Sequence, residues 1–450
     1  MKILSADFVL PVSASPIEKG AVAIEKDKIL AVGARAELVN KFPDVENEDF
    51  GEAVIMPGLV NCHSHLEISV MRGFLDNEDN DFYSWLIKLT KTRAEDLSDE
   101  DIEMSALFGA LEGARGGVTC FGDIGRYGRA GFRALKENGL RGVVFQETEF
   151  SPIDETAGVD FEKLKEKFLE LKEDETELVK VGLSPHAPYT VSRNLFELIA
   201  DYSLSENIKI TVHAAESEEE QDLMLKGEGF FAEIYQKLNL EWSAPNLSSI
   251  EFLHEIGVLQ AKPLLAHCVK VSDRDIELIA ESGSSIAHCP KSNAKFAHGV
   301  APSAKFLRRQ IPTGFGSDSV ASNNICDILE EARFAALLAR TREDESFFIQ
   351  AQTAIETATL GGAKALGLEN EIGTLEAGKQ ADLIVVSLAN LAQQPVYDVY
   401  SSLIFASNAR DVRLTMTAGE EIFRDGQAKK IDEEALRAEI KAIGRRLRKC

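Results

Sequence analysis

Two histidines separated by one residue, His63 and His65, have the spacing of a metal-ligand pair. Alternate residues of an extended strand point to the same side, so both imidazoles can face one ion. His213 adds a third imidazole, Glu216 follows it in the same motif, and Asp318 offers an anionic oxygen further along the chain. Three neutral nitrogens and one carboxylate, with a position left for water, suit zinc or ferrous iron. Taken singly, each signal has an ordinary structural alternative, such as a helix N-cap for Asp318.

The positions of the histidines relative to the predicted strands strengthen the metal-site hypothesis. The chain has eight histidines, and six of them lie at or just after the carboxyl end of a predicted strand: His63, His65, His186, His213, His267 and His288. Asp318 follows the last of these strands. The carboxyl ends of barrel strands converge on one mouth, where catalytic residues gather. His254 and His298 fit no strand end, and we expect them to be structural or solvent-exposed.

The strands that must position these residues alternate with longer amphipathic segments through the middle of the chain. Eight apolar runs are predicted to be strands: 54–60, 117–121, 142–146, 179–184, 208–212, 263–266, 284–287 and 312–316. Eight strands, each followed by a segment able to form a helix, predict an α/β fold, a (β/α)8 TIM barrel over residues 56–371. Short strands at 1–55 and 372–450 predict a small β-sandwich domain formed by both chain termini, with a helix at the carboxyl end.

Composition excludes several classes of protein. In 450 residues, 49 lysines and arginines against 74 aspartates and glutamates give a formal charge of −25, which argues against nucleic acid or an anionic membrane as a partner. No apolar run approaches the roughly 18–20 residues of a membrane span. Six cysteines without a CxxC pair indicate reduced thiols, and we therefore expect a cytoplasmic protein.

The fourth predicted strand is informative because no lysine stands at its end. A carbamylated lysine at that place bridges two metals in binuclear barrel hydrolases. The segment 184–189 reads SPHAPY, which favours a single metal, with His186 lining the substrate pocket. The acidic run at 216–222 is expected to begin a solvated helix, and it disfavours a polyanionic substrate.

Over its whole length the chain resembles the amidohydrolase superfamily, in its cytosine-deaminase-like branch. That branch contains adenosylhomocysteine/methylthioadenosine deaminases, aminodeoxyfutalosine deaminases, guanine deaminases and triazine hydrolases. The segments that carry the resemblance are MPGLVNCHSH at 56–65, SPHAPY at 184–189, HAAE at 213–216, AHC at 266–268, HCPKSN at 288–293, GSDSVASNN at 316–324 and IGTLEAGKQAD at 372–382. These motifs are specific for the superfamily and much less specific for a substrate.

The resemblance implies a role for individual residues. The implied ligands of one divalent transition metal, with Zn2+ as the first choice and Fe2+ or Mn2+ as alternatives, are His63, His65, His213 and Asp318. Such an ion lowers the pKa of water toward neutrality. Glu216 would move protons between water, a ring nitrogen and the leaving amine, while His267 and Asp318 would orient the water and stabilise the tetrahedral intermediate. Family members often pair, so a homodimer is expected.

The residues that contact the substrate are less well defined. The segment 76–85, which ends at Trp85, is predicted to form one wall for a planar base, or alternatively an amphipathic helix that packs on the barrel. Arg126 is a candidate partner for the carboxylate of an amino-acid substituent. His288 and Ser319 are further candidates for the pocket wall, beside His186.

The predicted function is hydrolytic deamination by a metal-dependent aminohydrolase that acts on C–N bonds of cyclic amidines. Its small-molecule substrate would be an adenine-type nucleoside such as aminodeoxyfutalosine, methylthioadenosine or adenosylhomocysteine. An amino- or chlorohydrolase of triazine-like or guanine-like rings is the alternative. A catalytically silent barrel scaffold is a third hypothesis, but such relatives are expected to lose ligands, whereas all four ligands and Glu216 are present.

Overall fold

The computed structural model describes residues 1–78, 81–342 and 348–448, with the side chain of Tyr83 excepted. Its strands, in chain order, are β1 (Lys2–Val9), β2 (Ile17–Glu25), β3 (Lys28–Ala34), β4 (Asn47–Asp49), β5 (Ala53–Pro57), β6 (Leu59–Ser64), β7 (Val118–Gly125), β8 (Arg141–Glu147), β9 (Val179–Ser184), β10 (Thr211–Ala214), β11 (Leu264–His267), β12 (Ser285–His288), β13 (Thr313–Phe315), β14 (Leu383–Ser387), β15 (Val412–Thr417), β16 (Glu420–Arg424) and β17 (Gln427–Ala428).

The α-helices follow most of these strands. They are α1 (Arg35–Lys41), α2 (Phe82–Glu95), α3 (Asp99–Arg115), α4 (Gly128–Asn138), α5 (Ala157–Glu173), α6 (Arg193–Glu206), α7 (Glu218–Lys226), α8 (Phe230–Lys237), α9 (Ser249–Glu255), α10 (Asp273–Ser282), α11 (Pro290–Lys295), α12 (Ser303–Arg308), α13 (Val320–Asn323), α14 (Ile328–Ala339), α15 (Ala351–Glu356), α16 (Gly362–Ala365), α17 (Val399–Ser401) and α18 (Glu433–Leu447). A 3-10 helix at Leu66–Met71 follows β6. Within the described ranges, none of these helices is long and apolar enough to cross a membrane.

Strands from both ends of the chain form one sheet, as the sequence predicts for the termini. The order is β17-β16-β15-β14-β5-β1-β2-β3, and β4 pairs with β1. Side chains from the two ends of the chain share one hydrophobic cluster, for example Leu4, Ile55, Val385 and Met416. The sheet formed by the two termini is therefore complete only when the carboxyl-terminal strands pair with the amino-terminal ones.

The middle of the chain forms the predicted (β/α)8 barrel. Strands β6 to β9 and β10 to β13 make two parallel half-sheets, and β6, β7 and β8 are buried at every position, as strands covered on both faces must be. The half-sheets meet at two seams, through isolated parallel bridges between Leu183 and Ile210 and between Ser64 and Asp318. At the second seam the Asp318 N–H donates to the His63 carbonyl oxygen over 2.9 Å.

The structure divides the predicted strand 54–60 into two strands that belong to different sheets. β5 pairs with β1 and β14 in the terminal sheet, whereas β6 is the first barrel strand. Gly58 separates them, and a methyl group at this glycine would lie 2.0 Å from the Thr119 hydroxyl oxygen. Every residue of both strands is buried, so the hydrophobic pattern could not reveal the break.

A buried ion pair joins the barrel to the terminal sheet. Arg141, the first residue of β8, donates through Nε to Asp382 Oδ2 over 2.9 Å, and both side chains are nearly inaccessible. Asp382 Oδ1 also accepts the Ala418 N–H over 2.8 Å, which ties the turn after β15 to the same carboxylate. The pair lies at the amino ends of the barrel strands, the face opposite the metal-site mouth, where such folds place stabilising contacts.

The five cysteines within the described residues are buried free thiols, as the sequence predicts: Cys62, Cys120, Cys268, Cys289 and Cys326. Burial raises the pKa of Cys120 to about 12. Cys450 lies outside the described residues.

Candidate active site

Three histidines and one aspartate converge at the carboxyl ends of barrel strands. His63 lies near the end of β6, His65 follows it, His213 lies on β10 and Asp318 follows β13. Asp318 Oδ1 is 3.5 Å from Nε2 of His63 and 3.7 Å from Nε2 of His65. Nε2 of His213 is 3.3 Å from Nε2 of His65. The fold therefore gathers all four predicted ligands around one point.

Backbone carbonyl groups orient two of these rings. His65 Nδ1 lies 3.1 Å from the Ile124 carbonyl oxygen, and His213 Nδ1 lies 3.0 Å from the His186 carbonyl oxygen. Because a carbonyl oxygen only accepts, each Nδ1 carries the hydrogen and each Nε2 of the neutral ring presents a lone pair. Two lone pairs thus face each other across 3.3 Å, an arrangement that a cation between them stabilises.

His63 and Asp318, the other two candidate ligands, also present atoms that can bind a metal ion. Neither ring nitrogen of His63 has a hydrogen-bond partner among the described residues, although the side chain is fully buried. Burial lowers the pKa of His63 to about 4, so the ring is in the neutral form that binds metals. Ser292 donates to Asp318 Oδ2 over 2.6 Å and the Ser319 N–H donates to Oδ1 over 2.6 Å, which holds the carboxylate with Oδ1 facing the histidines. This donor set fits a divalent metal ion.

Glu216 lies beside these four candidate metal ligands, with two histidines next to its carboxylate. Its Oε1 is 3.7 Å from Nε2 of His267 and 3.6 Å from Nε2 of His298. His267 Nδ1 meets the side-chain oxygen of Asn293 at 3.0 Å, which fixes the orientation of that ring. Burial raises the pKa of Glu216 to about 7. A carboxyl group that binds and releases a proton near neutral pH can act as both acid and base.

A second carboxylate holds the loop that carries Glu216. Glu220 accepts the N–H groups of Ala215 and Glu216 over 2.8 and 2.9 Å, and the Ser249 hydroxyl over 2.5 Å. The helix predicted for the acidic run exists as α7, but Glu220 is fully buried, so the prediction of a solvated face is wrong at this position. Two backbone donors and a hydroxyl compensate for the burial of the carboxylate.

The backbone is left-handed at three residues of the site: Ala215 has a φ of 53°, His267 a φ of 73° and Asp318 a φ of 56°. For residues other than glycine this conformation costs on the order of 1 kcal/mol or more and persists only where the surroundings impose it. Each of these residues lies where a barrel strand ends, so the strain occurs where the fold directs side chains into the mouth.

A cavity of about 580 Å³ opens above the cluster and is rich in aromatic side chains. Its wall includes Phe82, Trp85, Phe150, Tyr189, Phe230, Phe231, Tyr235 and Phe296. Trp85 lies on α2, stacks on Phe82 at a centroid distance of 6.1 Å and meets Phe296 edge-on at 4.9 Å. The predicted wall at 76–85 thus contributes helical residues to the cavity; residues 79 and 80 lie outside the described residues.

The other predicted substrate-binding residues are placed differently. His186 and Ser319 line the cavity, and the Ser319 hydroxyl accepts the Ala321 N–H over 2.9 Å as the N-cap of α13. The structure does not bring His288 to the wall: its ring is 2% exposed and faces Phe315. Burial alone is not the reason, since His267 is 1% exposed and still lines the cavity; the strand end does not decide which way a side chain points.

Arg126 also lines the cavity, but a carboxylate of the chain lies beside its guanidinium. Its Nε is 3.4 Å from Oε2 of Glu147, the last residue of β8. Glu147 itself lines the cavity and is a functional candidate that the sequence reasoning missed. The signal was available, because the strand-end rule applied to histidines applies equally to a glutamate.

His298 lies closer to the site than its position in the sequence indicates. It is 5% exposed and lies against Glu216, with its ring edge-on to Phe82 at 4.9 Å. It follows the short helix α11 rather than a strand, so its approach to the site depends on a turn that the sequence does not reveal. His254, in contrast, is exposed on α9, as expected.

Comparisons with known proteins agree with this geometry. The sequence model of the amidohydrolase family matches residues 54–422, and that of a bacterial imidazolonepropionase-like composite domain matches residues 20–44. The 5-methylthioadenosine/S-adenosylhomocysteine deaminase of Thermodesulfovibrio yellowstonii is 31% identical over 441 residues, which cover 96% of each chain.

Two solved structures have similar folds. The zinc-bound structure of an adenosine deaminase from Xanthomonas campestris has a TM-score of 0.87 and 28% identity, covering 100% of this chain and 98% of that one. The zinc complex of atrazine chlorohydrolase from Arthrobacter aurescens has a TM-score of 0.84 over 99% of this chain and 100% of that one. At 22% identity, the second likeness shows the fold alone.

Proposed function

The chain belongs to the amidohydrolase family, and from this premise we propose that it is a zinc-dependent deaminase that releases ammonia from the adenine ring of a 5′-substituted adenosine. As a family member with deaminase relatives, it is a hydrolase acting on C–N bonds of cyclic amidines. The proposal concerns the substrate, the identity of the metal and the roles of individual residues.

One observation carries the proposal: Glu216 lies beside a metal-binding cluster at the base of an aromatic cavity. His63, His65, His213 and Asp318 would hold the ion, which when bound supplies Lewis-acid activation of water. Aromatic side chains above the cluster suit the face of a purine, and the cavity of about 580 Å³ has the size of a small-molecule site.

The roles of the chain's own residues follow from their contacts. Glu216 would accept a proton from the attacking water and deliver it to the ring nitrogen next to the carbon under attack. His267, whose Nδ1 is fixed by Asn293, would direct its Nε2 at the incoming oxygen. Asp318 Oδ1, which also accepts the Ser319 N–H over 2.6 Å, would accept a hydrogen bond from the same oxygen, because it is the carboxylate oxygen that faces the histidines.

The deaminase relative supports an adenosine with a substituent at the 5′ position. Its name specifies 5-methylthioadenosine and S-adenosylhomocysteine, and it aligns with nearly the whole chain. The adenosine deaminase structure, which contains zinc, supports zinc as the metal and adenine as the base.

Ammonia release from a substrate panel tests the proposal. The panel contains adenosine, 5′-methylthioadenosine, S-adenosylhomocysteine, aminodeoxyfutalosine, guanine, an aminotriazine and a chlorotriazine, each with protein carrying one equivalent of zinc. We expect turnover with 5′-substituted adenosines, its loss after chelation and its return with added zinc. Absence of ammonia from every amine would refute the proposal, and chloride release from a chlorotriazine would favour the halide-hydrolase alternative.

A further inference from the structure

We propose that the cavity selects adenosines whose 5′ substituent is uncharged and apolar, and that Glu147 enforces this selection by neutralising Arg126. The inference rests on the proposed function and narrows its substrate class. It concerns the part of the cavity beyond the metal cluster, where a 5′ substituent must lie once the base reaches Glu216.

The Arg126–Glu147 contact is built into the barrel. Glu147 is 4% exposed at the end of β8, and its Oε2 lies 3.4 Å from Arg126 Nε. Gln146 Nε2 donates to the Arg126 carbonyl oxygen over 2.9 Å, which fixes the turn that carries the arginine. The positive charge of Arg126 is therefore paired with a negative charge before any substrate binds.

The same pairing holds for the other basic side chains of the wall. Arg93 donates through Nη1 to Glu67 Oε1 over 2.8 Å, and both side chains are almost fully buried. Lys91, on the exposed rim, lies 3.9 Å from Glu95. Thus each lysine and arginine on the described part of the wall has a carboxylate neighbour, and the wall offers a substrate anion no uncompensated lysine or arginine.

The remaining wall favours an apolar substituent. Beyond these pairs it consists largely of aromatic and aliphatic side chains, including Phe150, Phe231 and Ile234. A substrate carboxylate there would lose its hydration and would compete with Glu147 for Arg126, at a cost that an apolar group does not incur. A thioether instead makes favourable contacts with aromatic rings.

The second carboxylate oxygen of Glu147 is available to bind a substrate group. Its Oε1 is buried without a hydrogen-bond partner among the described residues and lies 4.0 Å from Nε2 of His186. The ring of His186 is 4.7 Å from that of His213, so this oxygen lies close to the metal cluster. It can accept a sugar hydroxyl group, which a nucleoside supplies, and it repels a substrate carboxylate.

The test compares three substrates that differ in the charge of the 5′ substituent: neutral 5′-methylthioadenosine, zwitterionic S-adenosylhomocysteine and aminodeoxyfutalosine, which carries a carboxylate. With zinc-loaded protein we expect kcat/KM for the neutral substrate to exceed both others at least tenfold. Glu147→Gln should reduce both ratios at least tenfold, because the freed arginine can then bind a carboxylate. A ratio measured on one preparation does not depend on the fraction folded.

Glu162→Gln is the matched control, since it removes one negative charge at an exposed residue beside Lys165 and outside the wall. It should leave the ratios unchanged; an equal change in both variants would mean that net charge alone acts, and would overturn the proposal. Equal or better wild-type use of the charged substrates would also overturn it. So would a selective loss of S-adenosylhomocysteine turnover in Glu147→Gln, which would show that the pair binds a zwitterion. If none of the three substrates is deaminated, the proposed function itself fails.

Discussion

Glu216 has the environment of a group that exchanges protons. It is buried between two histidine rings, and its pKa is raised to about 7. Glu216→Gln preserves the size of the side chain but cannot carry a proton, so kcat should fall by about 10²–10⁴. Zinc content should stay at the wild-type level, because the four predicted ligands are unchanged. Ammonia release and metal analysis on the same sample check this, and near-normal turnover would exclude the proton-transfer role.

His298 is predicted to position Glu216 rather than to touch the substrate. Its Nε2 lies 3.6 Å from Glu216 Oε1 and has no other partner within the described chain. Without the ring, the carboxylate loses one of its two histidine neighbours, so His298→Asn should lower kcat roughly tenfold with little change in KM. Steady-state kinetics separate the two constants.

The control for His298 is the same substitution at the exposed His254, which should leave both constants unchanged. His298→Gln keeps a donor of similar reach and should restore part of kcat. A rise in KM with an unaltered kcat would place His298 in substrate binding instead.

Among the elements, β7 depends on a carboxyl group that the barrel keeps protonated. Asp123 Oδ1 accepts the Leu66 N–H over 2.9 Å and the Ser64 hydroxyl over 3.0 Å, joining β7 to the end of β6. Burial raises the Asp123 pKa from 3.8 to about 8. The native state therefore keeps this proton between pH 4 and 8, while the unfolded chain loses it.

The free energy of unfolding should therefore fall as the pH rises from about 4 to about 8, and Asp123 should contribute up to about 1.4 kcal/mol of this fall per pH unit. Asp123→Asn has no proton to lose, so its free energy of unfolding relative to wild type should increase over this interval. Urea unfolding at pH 5 and pH 8 measures the difference. The exposed Asp44→Asn should show no such trend, and parallel wild-type and Asp123→Asn curves would contradict the assignment.

The elements also show which parts of the site the sequence can predict. Histidines at the ends of apolar runs indicated His63, His65 and His213, because a parallel barrel brings those ends together regardless of loop conformation. His298 and Glu220 depend on turns and capping contacts that follow from tertiary packing. Hydrophobic periodicity does not predict either contact. From the sequence, His298 is expected to be structural or solvent-exposed and Glu220 to lie on a solvated helix face.

At the scale of the whole molecule, the contact between Arg141 and Asp382 should couple the terminal sheet to the barrel. Asp382→Asn removes one of the two carboxylate partners of the buried Arg141, whose Nη1 still donates to Glu371 Oε2 over 2.9 Å. The cost should therefore lie toward the lower end of the about 3–5 kcal/mol that breaking a buried ion pair costs. We expect this loss in the free energy of unfolding, measured in urea, with kcat per bound metal unchanged. Asp425→Asn, which disrupts the exposed pair with Arg413, should cost no more than about 1 kcal/mol. Equal effects of the two variants would argue against a special role for the buried contact.

The sequence also predicted the architecture of the whole molecule, and for a physical reason. Apolar runs separated by helix-length segments predict a parallel α/β fold, and eight such runs with histidines at their ends favour a barrel. Short strands at both ends of the chain need each other to bury their apolar faces. The exception is Gly58, where an uninterrupted buried run passes from one sheet into the next. Only pairing with β14 on one side and β7 on the other distinguishes the two strands.

Alkylation of the buried thiols can report which part of the barrel unfolds first. An alkylating reagent attacks the thiolate, and burial both shields these sulfurs and, as at Cys120, opposes ionisation. Each thiol therefore does not react with the reagent until the segment that carries it is exposed to solvent. Cys62 precedes the first ligand on β6 and Cys289 follows β12, so the order in which they are labelled during slow unfolding would reveal which half of the barrel opens first.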